Sequence, residues 1–320
     1  MFSRQCCFVE RQTLINGVRE TLAKSGFYVS GPCNAVSFDI ISRRDNTLLI
    51  IKVLTNVDAF SKPVANELKT LTKFLEASPL LIGEKSGAGE IEDDVIYLRH
   101  GVPIISKGTF DNLFLEGTPP LMYASPGGFY VRLDTDVIRR VREKKKISLG
   151  TLAEIAGVSR RAIQMYEEGM SAMVDVAVRL EKFFDEPVVL PIDPFSYTSE
   201  TPDTEEMEFD MFEDFEKNVF AKLNEIGYRV VPIMRCPFNA LTKDKKTLIL
   251  TGIGRYDRLL LKKAEIVTNL SRVTEKHSVF FVEHSEKQNL EGTPLISISE
   301  LKKINDPEKI VELILERKKG

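Results

Sequence analysis

Apolar positions change rhythm twice along the chain. Leu14 to Ser25 recurs at helical spacing and predicts a helix, after which short apolar runs follow: Gly26-Phe27-Tyr28-Val29, Pro32-Cys33-Asn34-Ala35-Val36 and Thr47-Leu48-Leu49-Ile50. The same succession returns from Phe215 to Ile226, with Gly227-Tyr228-Arg229-Val230, Pro237-Phe238-Asn239-Ala240-Leu241 and Thr247-Leu248-Ile249-Leu250 behind it. Leu80-Leu81-Ile82 answers Val279-Phe280-Phe281, and Gly101 to Ser106 answers Gly292 to Ser297. Each copy closes in a helix, Thr109 to Leu115 and Ser299 to Ile304. The pattern therefore predicts, twice, helix, three strands, helix (Pro63 to Glu76; Arg258 to Glu275), strand, strand, helix, which is a mixed sheet flanked by helices. Asn34 and Asn239 match in this alignment and are expected to be turn residues bonded to their own backbone.

Between the copies the rhythm is helical. Leu149 to Gly169 predicts two short helices around a tight turn. Leu152, Ala153 and Ala156 share one face, Gly157 is free to take positive φ, and Val158 tucks beneath the turn. Ser159 then caps a second helix, with Ile163 and Tyr166 facing inward and Arg160, Arg161, Gln164 and Met165 facing away. This is a helix-turn-helix unit, whose second helix lies in the DNA major groove. Asp136 to Lys146 predicts a basic helix before it, with Val137, Ile138 and Val141 as its apolar stripe; Met173 to Phe184 predicts a helix after it, packed through Val176, Leu180 and Phe183. Leu121 to Ala124 and Phe129 to Leu133 flank Ser125-Pro126-Gly127-Gly128, a hairpin signature that serves either as a packing arm for the helices or as a wing carrying Arg132.

Charge sharpens this picture. The net charge of -3 argues against a chain that coats nucleic acid indiscriminately, so placement matters. From Arg132 to Arg161 there are nine Lys/Arg against four acids, whereas Glu200 to Glu216 holds nine acids and no base. The first stretch can neutralise phosphates; the second has the composition of an acidic linker. With 43% hydrophobic residues in 320 the chain can build two or three cores. No apolar run approaches a membrane span, and the N-terminus is charged too early for a secretory signal. The four cysteines, at 6, 7, 33 and 236, form neither a disulfide framework nor a zinc spacing, which fits a reducing cytoplasm. His100, His277 and His284 lack a partner spacing for a metal or a catalytic triad, so no cofactor and no metal is expected. Gly83 to Gly89 sets Lys85-Ser86 among glycines in the wrong order for a phosphate loop and is expected to be a mobile loop.

Asp134 to Leu190, with its Tyr166-Glu167-x-Gly169 ending and the Glu181-Lys182-Phe183-Phe184 helix end, resembles the Cro/phage-repressor (XRE) class of helix-turn-helix domains. That class usually carries a phosphate- or base-bonding glutamine where this chain has Leu149. Placement on the DNA backbone then falls to Lys144, Lys145, Lys146, Arg139, Arg140 and backbone amides. The flanking copies resemble restriction-endonuclease-like and resolvase-like domains. Asp39 and Lys52 occupy that superfamily's aspartate and lysine positions, but Ile50 stands where the second carboxylate belongs, and Gly252 stands where Lys52 does in the second copy. Two carboxylates are what hold the divalent metal, so Asp39 and Lys52 are vestigial candidates. They form either a residual ion pair or two solvent-facing strand ends, and Glu67 is a candidate relocated carboxylate.

The order of elements resembles that of archaeal helix-turn-helix transcriptional regulators over most of the chain. The fold expected is α/β plus all-α: a degenerate nuclease-like repeat over 1–120, a hairpin plus helix-turn-helix domain over 121–195, an acidic linker over 196–214, and a second α/β repeat over 215–320. The resemblance implies a cytoplasmic, non-enzymatic regulator that binds double-stranded DNA, as a homodimer, through Ser159, Arg160, Arg161, Gln164 and Met165. A structure-selective nuclease and a protein-interaction adaptor are the competing readings.

Overall fold

The structure, a computed structural model, describes residues 2–33, 35–197 and 212–318; for residues 2–9 it describes the backbone alone. Asn34 and most of the acidic stretch therefore lie outside the described residues. In chain order the elements are α1 (Phe2–Lys24), β1 (Tyr28–Val29), β2 (Ile40–Arg44), β3 (Thr47–Asn56), α2 (Lys62–Leu75), β4 (Ser78–Ser86), β5 (Gly89–Glu90), β6 (Val95–Arg99), β7 (Val102–Ile105) and α3 (Lys107–Asp111). The middle of the chain forms β8 (Met122–Ser125), β9 (Gly128–Leu133), α4 (Thr135–Lys144), α5 (Leu149–Ala156), α6 (Arg160–Glu167), β10 (Ala172–Met173), α7 (Val174–Phe184) and β11 (Val189–Leu190). Then come α8 (Asp214–Ile226), β12 (Arg229–Pro232), β13 (Ala240–Lys243), β14 (Leu248–Gly254), α9 (Arg258–Thr274), β15 (His277–Val282), β16 (Asn289–Leu290), β17 (Thr293–Ser297), α10 (Ile298–Leu301) and α11 (Pro307–Lys318). Among the described residues no helix is long and apolar enough to cross a membrane.

Contacts divide the chain into two compact units, one of Met1–Leu14, Leu54–Ala59 and Leu80–Thr198, the other of Ile15–Val53, Phe60–Pro79 and Ser199–Gly320. In the first unit β4 runs parallel to β7, β7 pairs antiparallel with β6, and β6 pairs parallel with β8 through Val95 and Met122. The hairpin β8–β9 thus continues a sheet, and β9 also pairs antiparallel with β10 and with β11. Val131 and Leu133 of β9 enter the same core as Ile138, Leu152, Ile163 and Leu180, so the hairpin is a packing arm for the helices. At its turn Gly127 takes φ +102, a conformation side chains with a Cβ rarely adopt.

Several expectations need correcting in this unit. Gly83 to Gly89 is not a loose loop: β4 continues to Ser86 and folds back on β5, with the Gly87 amide donating to Asp58 Oδ2 at 2.5 Å. The helix expected over Thr109 to Leu115 begins earlier, at Lys107, and passes into a π-type turn over Asn112–Glu116. β6, and β16 in the other unit, were not expected at all; both are short antiparallel partners of a central strand, β7 and β17 respectively. In α7 the buried row is Val176, Leu180, Phe184 at spacing four, and Phe183 is partly buried and packs against the same core.

The second unit contains a six-stranded sheet in the order β12-β13-β14-β15-β17-β16, with β14, β15 and β17 parallel. Its inner strands are continuous buried runs, as strands covered on both faces require. Helix α11, which the sequence reading passed over, closes this sheet. Its buried Arg317 donates to Leu295 O and pairs with Glu300 at 2.5 Å. The same unit holds β1–β2–β3, an antiparallel set in which Ile40 faces Ile51, just as Ala240 faces Thr251 across β13 and β14. Helix α9 lies beside β2: Gly31 N donates to Asn269 Oδ1, and Arg43 reaches Thr274 O and the Glu275 carboxylate.

Candidate nucleic-acid interface

The helix-turn-helix forms as its sequence pattern predicts. Ser148 Oγ accepts from Thr151 N at 3.0 Å to start α5, and Gly157 ends that helix at φ +67. Val158 N then returns to Ala153 O at 2.9 Å, and Ser159 Oγ accepts from Ala162 N at 3.1 Å to start α6. Leu152, Ala156 and Ile163 are fully buried and Tyr166 nearly so, which fixes the angle between the helices.

Two clamps that the sequence reading did not find hold this angle. Arg142 of α4 makes a two-armed pair with Glu167, Nε to Oε1 at 2.5 Å and Nη2 to Oε2 at 3.2 Å, and Arg139 donates to Glu167 O at 2.8 Å. The Glu167 hydrogen bond raises the Arg142 guanidinium pKa, so this clamp stays charged. On the other side Arg179 of α7 donates to Ala156 O at 2.8 Å, capping the end of α5, and pairs with Asp175. The end of α6 and the end of α5 are therefore both tied to neighbouring helices. The available signal was Glu167 closing the recognition helix opposite a basic α4, but one-dimensional periodicity does not say which arginine meets it.

The side chains expected to touch DNA divide by whether they are already engaged. Arg160, Arg161, Gln164 and Met165 are exposed on one side of α6, and Gln164 Nε2 donates to Glu168 at 3.2 Å. Among the described residues Arg160, Arg161, Lys144 and Lys146 make no ion pair and no side-chain hydrogen bond. Lys145, by contrast, donates to Phe183 O at 3.0 Å and sits over the Phe183 ring. Arg140 pairs with Glu186 at 2.5 Å, and Arg139 holds Glu167 as above. Ser159 spends its hydroxyl as a helix cap.

The vestigial nuclease positions lie in the second unit. Lys52 Nζ stands 3.3 Å from Asp39 Oδ2, both side chains are buried, and the same Oδ2 accepts from Val53 N at 2.8 Å. They form an ion pair rather than two solvent-facing strand ends. Nearby Cys33 is dry enough that burial pushes its thiol up to about 11. Glu67 does not join them as a relocated carboxylate. It accepts from Ser37 Oγ, from Met234 N at 3.1 Å and Arg235 N at 3.0 Å, and pairs with the Arg235 side chain at 3.4 Å. The Cys236 thiol, pushed well up chiefly by burial, donates to it as well. With Ile50 fully buried on β3 and Glu67 saturated by donors, these residues do not fit the two-carboxylate metal centre that the nuclease superfamily uses. Among the described residues no cluster of three or more His, Cys, Asp or Glu is arranged to hold a metal.

The hydrogen bonds also correct the expected alignment of the two α/β segments. Asn239 N donates to Thr251 O at 2.8 Å and Asn239 Oδ1 accepts from Ile253 N at 2.9 Å, the pattern Asp39 makes with Ile51 O and Val53 N. Asn239 thus stands where Asp39 does, not where Asn34 does, and it bridges strands rather than bonding its own turn. Where Lys52 would fall, a Cβ on Gly252 would come within 2.1 Å of the Phe280 ring.

Comparison with known proteins agrees with both parts of this picture. Residues 11–120 match the model of the PD-(D/E)XK superfamily domain, and residues 138–190 match that of the helix-turn-helix family. No solved structure matches the chain. A protein of Natronomonas pharaonis is 38% identical over 98% of this chain and 100% of its own length, and one of Halorubrum lacusprofundi is 38% identical over 98% and 99%. One from Methanocella arvoryzae is 36% identical over 96% and 97%. All three bear the name "Putative HTH-type transcriptional regulatory protein". With that identity running from end to end, and the same helix-turn-helix at its centre, the chain belongs to this archaeal family of HTH-type transcriptional regulatory proteins.

Proposed function

We propose that this protein is a sequence-specific DNA-binding transcriptional regulator that places α6 in the major groove. The observation that carries the reading is the exposed pair Arg160 and Arg161, unpartnered among the described residues, at the start of a helix capped by Ser159 and clamped at its far end through Glu167. Arginine forks suit guanine, Gln164 suits adenine, and Met165 offers an apolar contact to a thymine methyl. Lys144 and Lys146, whose side chains have no partner among the described residues, take phosphates. Lys145, Arg139 and Arg140 follow only where they exchange an internal bond for a phosphate, so they contribute less. One such helix reads few base pairs, so the protein acts as a homodimer on two half-sites, in the cytoplasm.

The flanks, 1–120 and 215–320, are read as two degenerate copies of one α/β fold, joined to the 121–195 domain directly and through the 196–214 linker. Their matching strand registers at Asp39 and Asn239 support duplication, and their altered centres support a non-enzymatic role in dimerisation or sensing. Gel shifts on a duplex selected from random sequence test this: Arg160→Ala or Arg161→Ala should each weaken specific binding by about 1–3 kcal/mol, whereas Lys144→Ala should weaken all sequences alike and lower the salt slope.

The buried Asp39–Lys52 pair favours one second reading, a structure-selective nuclease. Incubation with branched and linear DNA plus magnesium decides it: no cleavage is expected, and cleavage lost in Asp39→Ala would reverse the ranking.

A further inference from the structure

The carboxyl ends of the parallel strands β14, β15 and β17 open on a crevice of about 510 Å³. In open α/β sheets this is where ligands bind, because the loops leaving parallel strands fan apart there. The volume lies within the range of small-molecule sites. Tyr256 comes from the loop after β14, His284, Glu286 and Lys287 from the loop after β15, and Ser297 and Ser299 from the end of β17. Among the described residues the side chains of Tyr256, His284, Glu286 and Lys287 make no hydrogen bond and no ion pair. Their loop is nonetheless shaped from within, since Ser285 Oγ accepts from Lys287 N at 3.0 Å and donates to Lys287 O at 2.9 Å. The neighbouring charges Arg255 and Glu283 are engaged with each other at 3.6 Å. Helix α9, which starts beside the crevice, already has its first turn capped by Asp257, so the opening of that helix supplies no anion site.

Uncommitted groups of three kinds thus face one space. An exposed phenol ring offers a stacking face for a planar heterocycle. Lys287 and the His284 imidazole offer donors to a phosphate, with the Ser299 hydroxyl beside them. The Glu286 carboxylate accepts from vicinal sugar hydroxyls, as acidic residues do in nucleotide sites. We propose that this crevice binds a nucleoside monophosphate, with the base on Tyr256, the sugar at Glu286 and the phosphate at Lys287 and His284. The ligand is then an effector of the protein, a role that rests on the regulator reading above.

The test is calorimetric titration of the full chain with AMP and UMP, with adenosine and inorganic phosphate as fragments. At least one nucleotide should saturate, and each fragment should bind about tenfold weaker or not at all. Tyr256→Ala and Lys287→Ala should each weaken the nucleotide about tenfold, with circular dichroism unchanged. No saturation by either nucleotide, or affinity indifferent to both substitutions, would overturn the site. Gel shifts run on the same preparations separate the two claims. Duplex binding without nucleotide binding rejects the crevice alone, and nucleotide binding without duplex binding rejects the regulator reading.

Discussion

Two positions in the second unit, Asp39 on one segment and Asn239 on the other, make the same backbone bonds with opposite surroundings. Each bridges the strand that follows it to the next, through bonds of 2.8 to 2.9 Å. Beside Asp39 lies a buried lysine; beside Asn239 lies glycine, with the Phe280 ring filling the space. The bonds to the backbone are common to both positions; the charge is not. What an acid just before the second strand does in this protein is therefore to hold strands in register, which a carboxamide does equally well. The lysine next to Asp39 compensates its charge, whereas the Asn239 amide donates to Glu216 Oε1 at 2.7 Å.

Substitutions that interchange the two settings test this. The largest effect is expected for Lys52→Met, which leaves the buried Asp39 carboxylate without its nearest cation and should cost about 3–5 kcal/mol in chemical denaturation. Adding Asp39→Asn to that variant, which copies the chemistry of Asn239, should restore most of the loss. If the double variant is no better than the single one, the lysine does more than balance the acid. Glu67→Gln comes next, at on the order of 2 kcal/mol, because whichever oxygen becomes the amide NH2 meets a backbone donor, Met234 N on one side or Arg235 N on the other. Gly252→Ala should cost about 1–3 kcal/mol through overpacking against Phe280, measured the same way.

The smallest effect is one of pH. The Arg317 hydrogen bond, opposed by burial and helped by the Ser297 donors, holds the Glu300 carboxyl down to about 2 from its ordinary 4.5. A lowered folded-state value stabilises the fold above pH 4.5 and loses that contribution as pH falls towards about 2. Stability of Glu300→Gln against pH should therefore be flatter than that of the parent chain across this window.

The same comparison shows what a sequence can disclose. The helix-turn-helix was legible because its determinants are local: Ser148, Gly157, Ser159 and the Leu152-Ala156-Ile163-Tyr166 face all fall within nineteen consecutive residues. The strand-forming runs at Thr47 to Ile50 and Val279 to Phe281 were legible for a related reason, continuous burial. The expected alignment of the two segments went astray because Asn34-Ala35 and Asn239-Ala240 share a dipeptide, while Asp39 and Asn239, which make the same strand bonds, differ in residue type. β6 escaped because it pairs antiparallel beside β7 as a five-residue strand with only its first two residues buried. The Arg142–Glu167 and Arg179–Ala156 clamps, and the capture of Glu67 by residues 234–236, depend on which distant elements meet, and periodicity carries no such information.

The measurement that bears most directly on the central claim is fluorescence anisotropy of the parent chain and an Arg160→Ala/Arg161→Ala variant on a selected duplex and on a scrambled one, at fixed salt. Loss of affinity for the selected duplex alone, until it equals the scrambled one, is the result expected of a groove-reading helix. An equal drop on both duplexes, or none on either, would contradict it.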